Sequence, residues 1–131
     1  MAVIFPDIEA HVVSYLNDAL DERNITGVRV GTKKLPAGSS LPDTAEVVVI
    51  GNYTGTLDWV RSDATLTIDV YADDYATASD IARTIGALIV QIPGEYVKRA
   101  VVSLGPIRLS DEAPLEKRSM TVDLIVKGSD F

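Results

Sequence analysis

The side chains that could do chemistry are few. His11 and Ser14 stand three residues apart, close enough to share a face if this stretch is helical. An imidazole beside a hydroxyl begins a nucleophilic pair. A serine nucleophile needs a strained, exposed elbow, however, and no Gly-x-Ser-x-Gly occurs. The plainer reading is a surface or interface histidine. Asp73 and Asp74 are adjacent carboxylates, the raw material of acid–base work or of a calcium site. The alternating acidic loop closed by Glu that calcium requires is missing, so the pair reads as the cap of a helix beginning there. Gly51 and Gly55 flank Asn52, Tyr53 and Thr54. A phosphate loop would continue into Lys-Ser or Lys-Thr at a helix start; Leu57-Asp58-Trp59 follows instead, and a turn is the expectation.

Composition narrows the field further. The 131 residues contain no cysteine, which excludes disulfides, thiolate nucleophiles, zinc–thiolate sites and iron–sulfur clusters. A single histidine cannot build a multi-histidine metal site. Hence no catalytic, cofactor or metal residue is assigned, and the protein is expected not to be an enzyme. Acids outnumber bases 19 to 12, giving a formal charge of −7. That argues against a protein that grips nucleic acid, because phosphate binding needs an electropositive face. No apolar run approaches the roughly 18 residues of a membrane span, and the N-terminus lacks the pattern of a secretory signal. No membrane partner is expected, and assembly in a cytoplasm is.

What remains is the chemistry of contact. Basic pairs occur at Lys33-Lys34, Lys98-Arg99 and Lys117-Arg118, with only Tyr96 as a nearby aromatic. This is no stacking platform for a nucleic acid strand. Such pairs either guard solvated strand edges or seek acidic neighbours. Between Asp58 and Asp80 there are six acids against one base; between Lys98 and Lys127, six bases against four acids. A split of this kind suits head-to-tail contacts between copies. Trp59, with Tyr53 and Leu57 nearby, reads as a lid on the core or an interface anchor. The candidate interface residues are therefore Lys33, Lys34, Tyr53, Leu57, Trp59, Lys117 and Arg118.

Periodicity supplies the elements that must position them. Ile8, Val12, Tyr15, Leu16, Ala19 and Leu20 recur at helical spacing, predicting a helix from about Asp7 to Arg23 that stops at Asn24 and Gly27. Val28 to Lys33 alternates as a short strand, and Leu35 to Asp43 is a long loop. Glu46 to Ile50 is apolar on both faces, which predicts a central, doubly covered strand. Gly51 to Leu57 is turn-like, and Ala64 to Ala72 alternates cleanly, so these two strands should form a hairpin. A second helix is expected from Asp73 or Asp74 to about Ile92. Ala100 to Leu104 and Ile107 to Leu109 predict a strand bent at Gly105-Pro106. Lys117 to Val126 closes a second hairpin, and Gly128 to Phe131 is a tail. The order is α-β-β-β-α-β-β in one domain spanning residues 1–131. The expected fold class is α+β, a two-layer sandwich. Its mixed, mainly antiparallel sheet has about five strands, with both helices on one face.

Taken together, several segments resemble the tail terminator, or tail completion, proteins of long-tailed, non-contractile bacteriophages. They are the Asp7-Ile8-Glu9 helix with Tyr15-Leu16; Val28-Arg29-Val30-Gly31-Thr32; a Pro-containing loop before Val47-Val48-Val49; Asp63 to Ala72 followed by Ala78 to Leu88; Gly105-Pro106 with Asp111; and Thr121 to Gly128. The order and spacing carry the likeness over nearly the whole chain. The segment after Val49 departs from many relatives, which are richer there in glycine and arginine. The resemblance implies a virion structural protein at the tail–neck junction. It would form a homo-hexameric ring that caps the tail tube and meets two partners, the major tail tube protein and the head-closure or neck protein. DNA would pass through the ring without specific binding. With a charge of −7 per copy, some of Asp58, Asp63, Asp73 and Asp74 are expected to face that lumen and repel the phosphates. The competing readings are a head-closure or head–tail connector subunit, and a small-ligand-binding α+β domain.

Overall fold

A computed structural model describes residues 3–33, 45–56, 60–92, 94–109 and 115–130. Nine elements follow in chain order: β1 (Val3–Ile4), α1 (Ile8–Glu22), β2 (Val28–Gly31), β3 (Ala45–Thr56), β4 (Arg61–Ala72), α2 (Tyr75–Ile89), β5 (Val97–Leu109), β6 (Glu116–Lys127) and β7 (Ser129–Asp130). Apart from the two-residue strands at either end, this is the expected α-β-β-β-α-β-β order.

Both helices start where the sequence supplies a cap. The Asp7 carboxylate accepts the Ala10 N–H at 3.1 Å, and Asp74 accepts the Thr77 N–H at 2.8 Å. Each thus satisfies a donor that the first turn leaves without an intrahelical partner. Helix α1 stops as Asn24 and Gly27 take positive φ of 57° and 77°. Its buried stripe is Ile8, Val12, Leu16, Ala19 and Leu20; that of α2 is Ala78, Ile81, Ala82, Ile85, Leu88 and Ile89.

These stripes cover one face of a five-stranded sheet in the order β2-β3-β4-β6-β5. Only β2 and β3 run parallel; the other pairs are antiparallel. Helix α1 lies over β2 and β3, and α2 chiefly over β4, β6 and β5. The two helices also touch, where the Tyr15 hydroxyl donates to the Leu88 carbonyl at 2.7 Å. Toward the helices point Val47 and Val49, the row Ala64-Leu66-Ile68-Val70-Ala72, and Met120-Val122-Leu124-Val126, all buried.

The strand arrangement corrects three expectations. The central strand is β4, whereas β3 lies one place from an edge. The second apolar face of β3 splits, with Val48 buried and Ile50 52% exposed. Nor do Gly51 to Thr56 form a turn, since β3 continues through them, and Leu57 lies outside the described residues. Gly51 marks a close approach instead. A Cβ there would stand 2.8 Å from Leu66 Cδ2 and 3.1 Å from Ile8 Cγ2, where the start of α1 crosses the strand. Finally, the expected tail is partly a strand, because Ser129 and Asp130 pair with Ile4 and Val3. The bend at Gly105-Pro106 is present: pairing with β6 shifts register between Leu104 and Ile107. Gly105 has φ +87°, and a Cβ there would meet the Ser119 carbonyl at 2.5 Å.

Ile68 sits at the middle of the central strand with no exposed surface, whereas its neighbour Thr67 faces solvent. Ile68→Ala is expected to cost about 2–5 kcal/mol in urea unfolding, and Thr67→Ala less than about 0.5 kcal/mol.

Candidate functional site

Among the described residues both helices lie on one side, and the opposite sheet face carries none. Strand register orders it into rows across the sheet. One row runs Arg29, Glu46, Tyr71, Lys117, Leu109. Three more rows follow along the strands: Val48, Asp69, Ser119, Ile107; then Ile50, Thr67, Thr121, Leu104; then Asn52, Thr65, Asp123, Val101. The first row is the least wet: Glu46 and Tyr71 are buried, Arg29 Nη1 stands 3.7 Å from Glu46 Oε1, and Lys117 Nζ lies 5.4 Å from the Tyr71 ring centre. Lys117 also reaches Asp69 Oδ2 at 4.0 Å. The row through Ile50 and Leu104 is open and partly apolar. At the far end, Asp63 and Asp123 flank a shallow cavity of about 280 Å³ beside Arg99 and Val101.

Along the β5 edge the surface turns apolar. Val101, Leu104 and Ile107 are 39, 56 and 40% exposed, and register places all three on the helix-free face. The sequence reading missed this stripe. Its signal was the pair Val101-Val102, which makes the strand apolar on both faces although only one face meets the core.

On the helix side, at the start of α2, Tyr75 gathers two guanidinium groups. Arg108 and Arg118 lie 5.0 and 4.7 Å from its ring centre. Glu116 binds both: Arg108 donates at 2.8 and 3.1 Å, and Arg118 Nη1 at 3.3 Å. The hydrogen bond from Arg108 holds the Glu116 carboxyl below the usual carboxylate range and raises Arg108 in return. Arg118, only 5% exposed, also donates to the carbonyls of Lys117 and Tyr75 at 3.2 and 3.5 Å. This cluster docks α2 onto β6. It borders a cavity of about 340 Å³ that Arg83, paired with Asp80, and Pro106 also line.

The residues singled out from sequence therefore scatter. Lys33 is exposed just beyond β2. Lys117 and Arg118 point to opposite faces, each engaged within its own chain. Tyr53 is half-buried: its hydroxyl donates to the Pro6 carbonyl at 2.6 Å and its ring lies 5.7 Å from Phe5. It clamps the N-terminal segment, and burial, then the Asp7 carboxylate, pushes its pKa up. Lys34, Leu57, Asp58 and Trp59 lie outside the described residues. Of the acids, Asp63 sits near the start of β4, whereas Asp73 and Asp74 follow its end. At about 3.3 Å per residue this is a strand's length apart, so these acids do not form one cluster. Asp74 is the α2 cap. His11 meets Tyr96 edge-on at 5.5 Å. Among the described residues, no three His, Asp or Glu side chains converge to hold a metal, and no helix is long and apolar enough to cross a membrane.

The sequence matches no family model and no curated protein. The fold does find a counterpart. A chain in the virion of a native gene transfer agent (GTA) particle superposes with a TM-score of 0.64 at 17% identity, over 92% of this chain and 94% of that one. At that identity the likeness establishes a shared two-layer α+β fold.

Two outcomes follow from the site chemistry. Tyr53→Phe removes the hydroxyl that holds Pro6 and is expected to cost about 0.5–1.5 kcal/mol in urea unfolding. Asp74 has its pKa lowered from 3.8, first by the Thr77 backbone N–H and then by the Thr77 hydroxyl. Its stabilisation is present above pH 3.8 and fades as pH falls through the lowered folded value. Asp74→Ala should lower the melting temperature by a few degrees at neutral pH, and the gap from the parent protein should narrow in acid melts.

Proposed function

We propose that this protein is a structural component of a phage-like virion, and more specifically a tail terminator. In this reading, copies of the chain form a ring, expected to be hexameric, that caps the finished tail tube and stops its growth. The ring then joins the tail to the head-closure or neck protein. DNA crosses its lumen without specific binding, and the chain's work is assembly rather than catalysis. It belongs in the virion at the tail–neck junction and assembles in the host cytoplasm.

The observation that carries the reading is the fold shared with a virion chain across nearly the full length of both. The surface chemistry supports it: one bare sheet face and an apolar outer strand suit a subunit built for neighbours. The net charge of −7 favours a channel that does not hold phosphates.

Solution mass tests the proposal directly. The purified chain should sediment as a closed ring, or become one when mixed with tail tubes, and added protein should stop tube elongation. A monomer that leaves tube growth unchanged would sink the tail terminator role. A ring that binds only neck components would favour the head-closure alternative.

A further inference from the structure

The two flanks of the subunit carry opposite charge. Strand β5, the outer strand on one side, has three bases and no acid in Val97–Leu109. Arg108 is committed to Glu116, but Lys98 and Arg99 are exposed and make no ion pair among the described residues. Helix α1 lies over the strands at the other side. It carries Glu9, Asp18, Asp21 and Glu22 and no lysine or arginine. Asp18, Asp21 and Glu22 are exposed and crowd its C-terminal half, with no basic residue in the last turn. Carboxylates there oppose the helix dipole. Arg23, just past the end, donates to the Ala19 carbonyl at 3.2 Å and offsets only part of that.

The β5 edge also indicates what kind of element it can receive. A continuous added strand needs a regular row of backbone donors and acceptors. Here the pairing of β5 with β6 shifts register three times, and Pro106 offers no N–H. A helix packing by its side chains needs no such row. Beside this edge, Val101, Leu104 and Ile107 supply apolar surface that the chain itself leaves uncovered.

We infer that the β5 flank receives the acidic outer face of α1 from a second copy of this chain. Lys98 and Arg99 face Asp18, Asp21 and Glu22, and the Val101-Leu104-Ile107 stripe is covered by the contact. The two surfaces are different patches on opposite sides of one subunit, so each copy uses both and the association runs head to tail. Charges at such a rim steer and select partners, and salt screens them. The inference rests on the ring reading above and assigns its faces.

Charge reversal tests it, with sedimentation velocity as the readout, on the protein alone and on tail tubes. Lys98→Glu with Arg99→Glu should weaken self-association about tenfold or more. Asp18→Lys with Asp21→Lys should do the same. Mixing the two variants should restore association, because each then presents the charge the other lacks; restoration also shows that both are folded. The absence of native cysteine allows a second measurement. With Ser14→Cys and Val101→Cys in one chain, a flexible bis-maleimide should give a ladder beyond dimer, whereas either single variant should give no cross-linked species. If both reversed variants assemble like the parent, or if single-cysteine chains cross-link to dimers, the assigned faces are wrong while the ring stands. If the parent never self-associates, alone or on tube ends, ring and faces fall together.

Discussion

Two helices can cover only one face of a five-stranded sheet, and the rest of the structure depends on that constraint. The covered face must bury the apolar stripes of both helices, so β4 takes the middle and turns five buried apolar residues, Ala64 to Ala72 in alternation, toward them. The other face then has to live without a helix. It does so unevenly. The row through Glu46, Tyr71 and Lys117 buries polar and charged groups beside one another, whereas the row through Ile50 and Leu104 leaves large apolar side chains open. A soluble monomer gains nothing from the second arrangement. An assembling subunit does, because uncovered apolar area is what a neighbour can remove from water.

Much of this architecture was legible in the sequence, for a physical reason. Helical spacing and strict alternation both follow from burying one face, as both helices and strand β6 do, and β4 does except at Tyr71. The cap at the start of α2 was readable in Asp73-Asp74 because an oxygen acceptor before an apolar stripe has few other uses. The failures came where a residue served contacts from outside its own element. Gly51 read as a turn because glycine is ambiguous: the space it leaves is filled by Leu66 and the start of α1, which no local pattern reveals. The β3 run read as doubly covered because Val48 and Ile50 are alike in sequence, and only the fold separates a buried one from an exposed one.

Less of the candidate site was legible. Lys117 and Arg118 drew notice as a basic pair, yet adjacent residues of a strand point to opposite faces. One meets Asp69 across the sheet, and the other ties α2 to β6 through Tyr75 and Glu116. Tyr53 stood beside Trp59 in the sequence, but its hydroxyl closes on Pro6. The surface features that the structure brings out, an apolar β5 edge and an acidic α1 flank, were visible only as composition. Their meaning depends on lying at opposite sides of the sheet, and strand order, unlike periodicity, is set by long-range pairing.

The same distinction explains how 17% identity can accompany a fold shared over nearly the whole chain. A core asks of each inward position only that it be apolar and of suitable volume, so many sequences satisfy it. The strand order that separates the two flanks persists through such change. Surface residues are under no such demand from the core. The shared fold therefore fixes where the two flanks lie, while the charges and apolar side chains on them are free to differ. For this chain the outer strand is basic and apolar, and the opposite helix is acidic. Two surfaces that match each other better than they match themselves favour an ordered chain of like subunits over a symmetric pair.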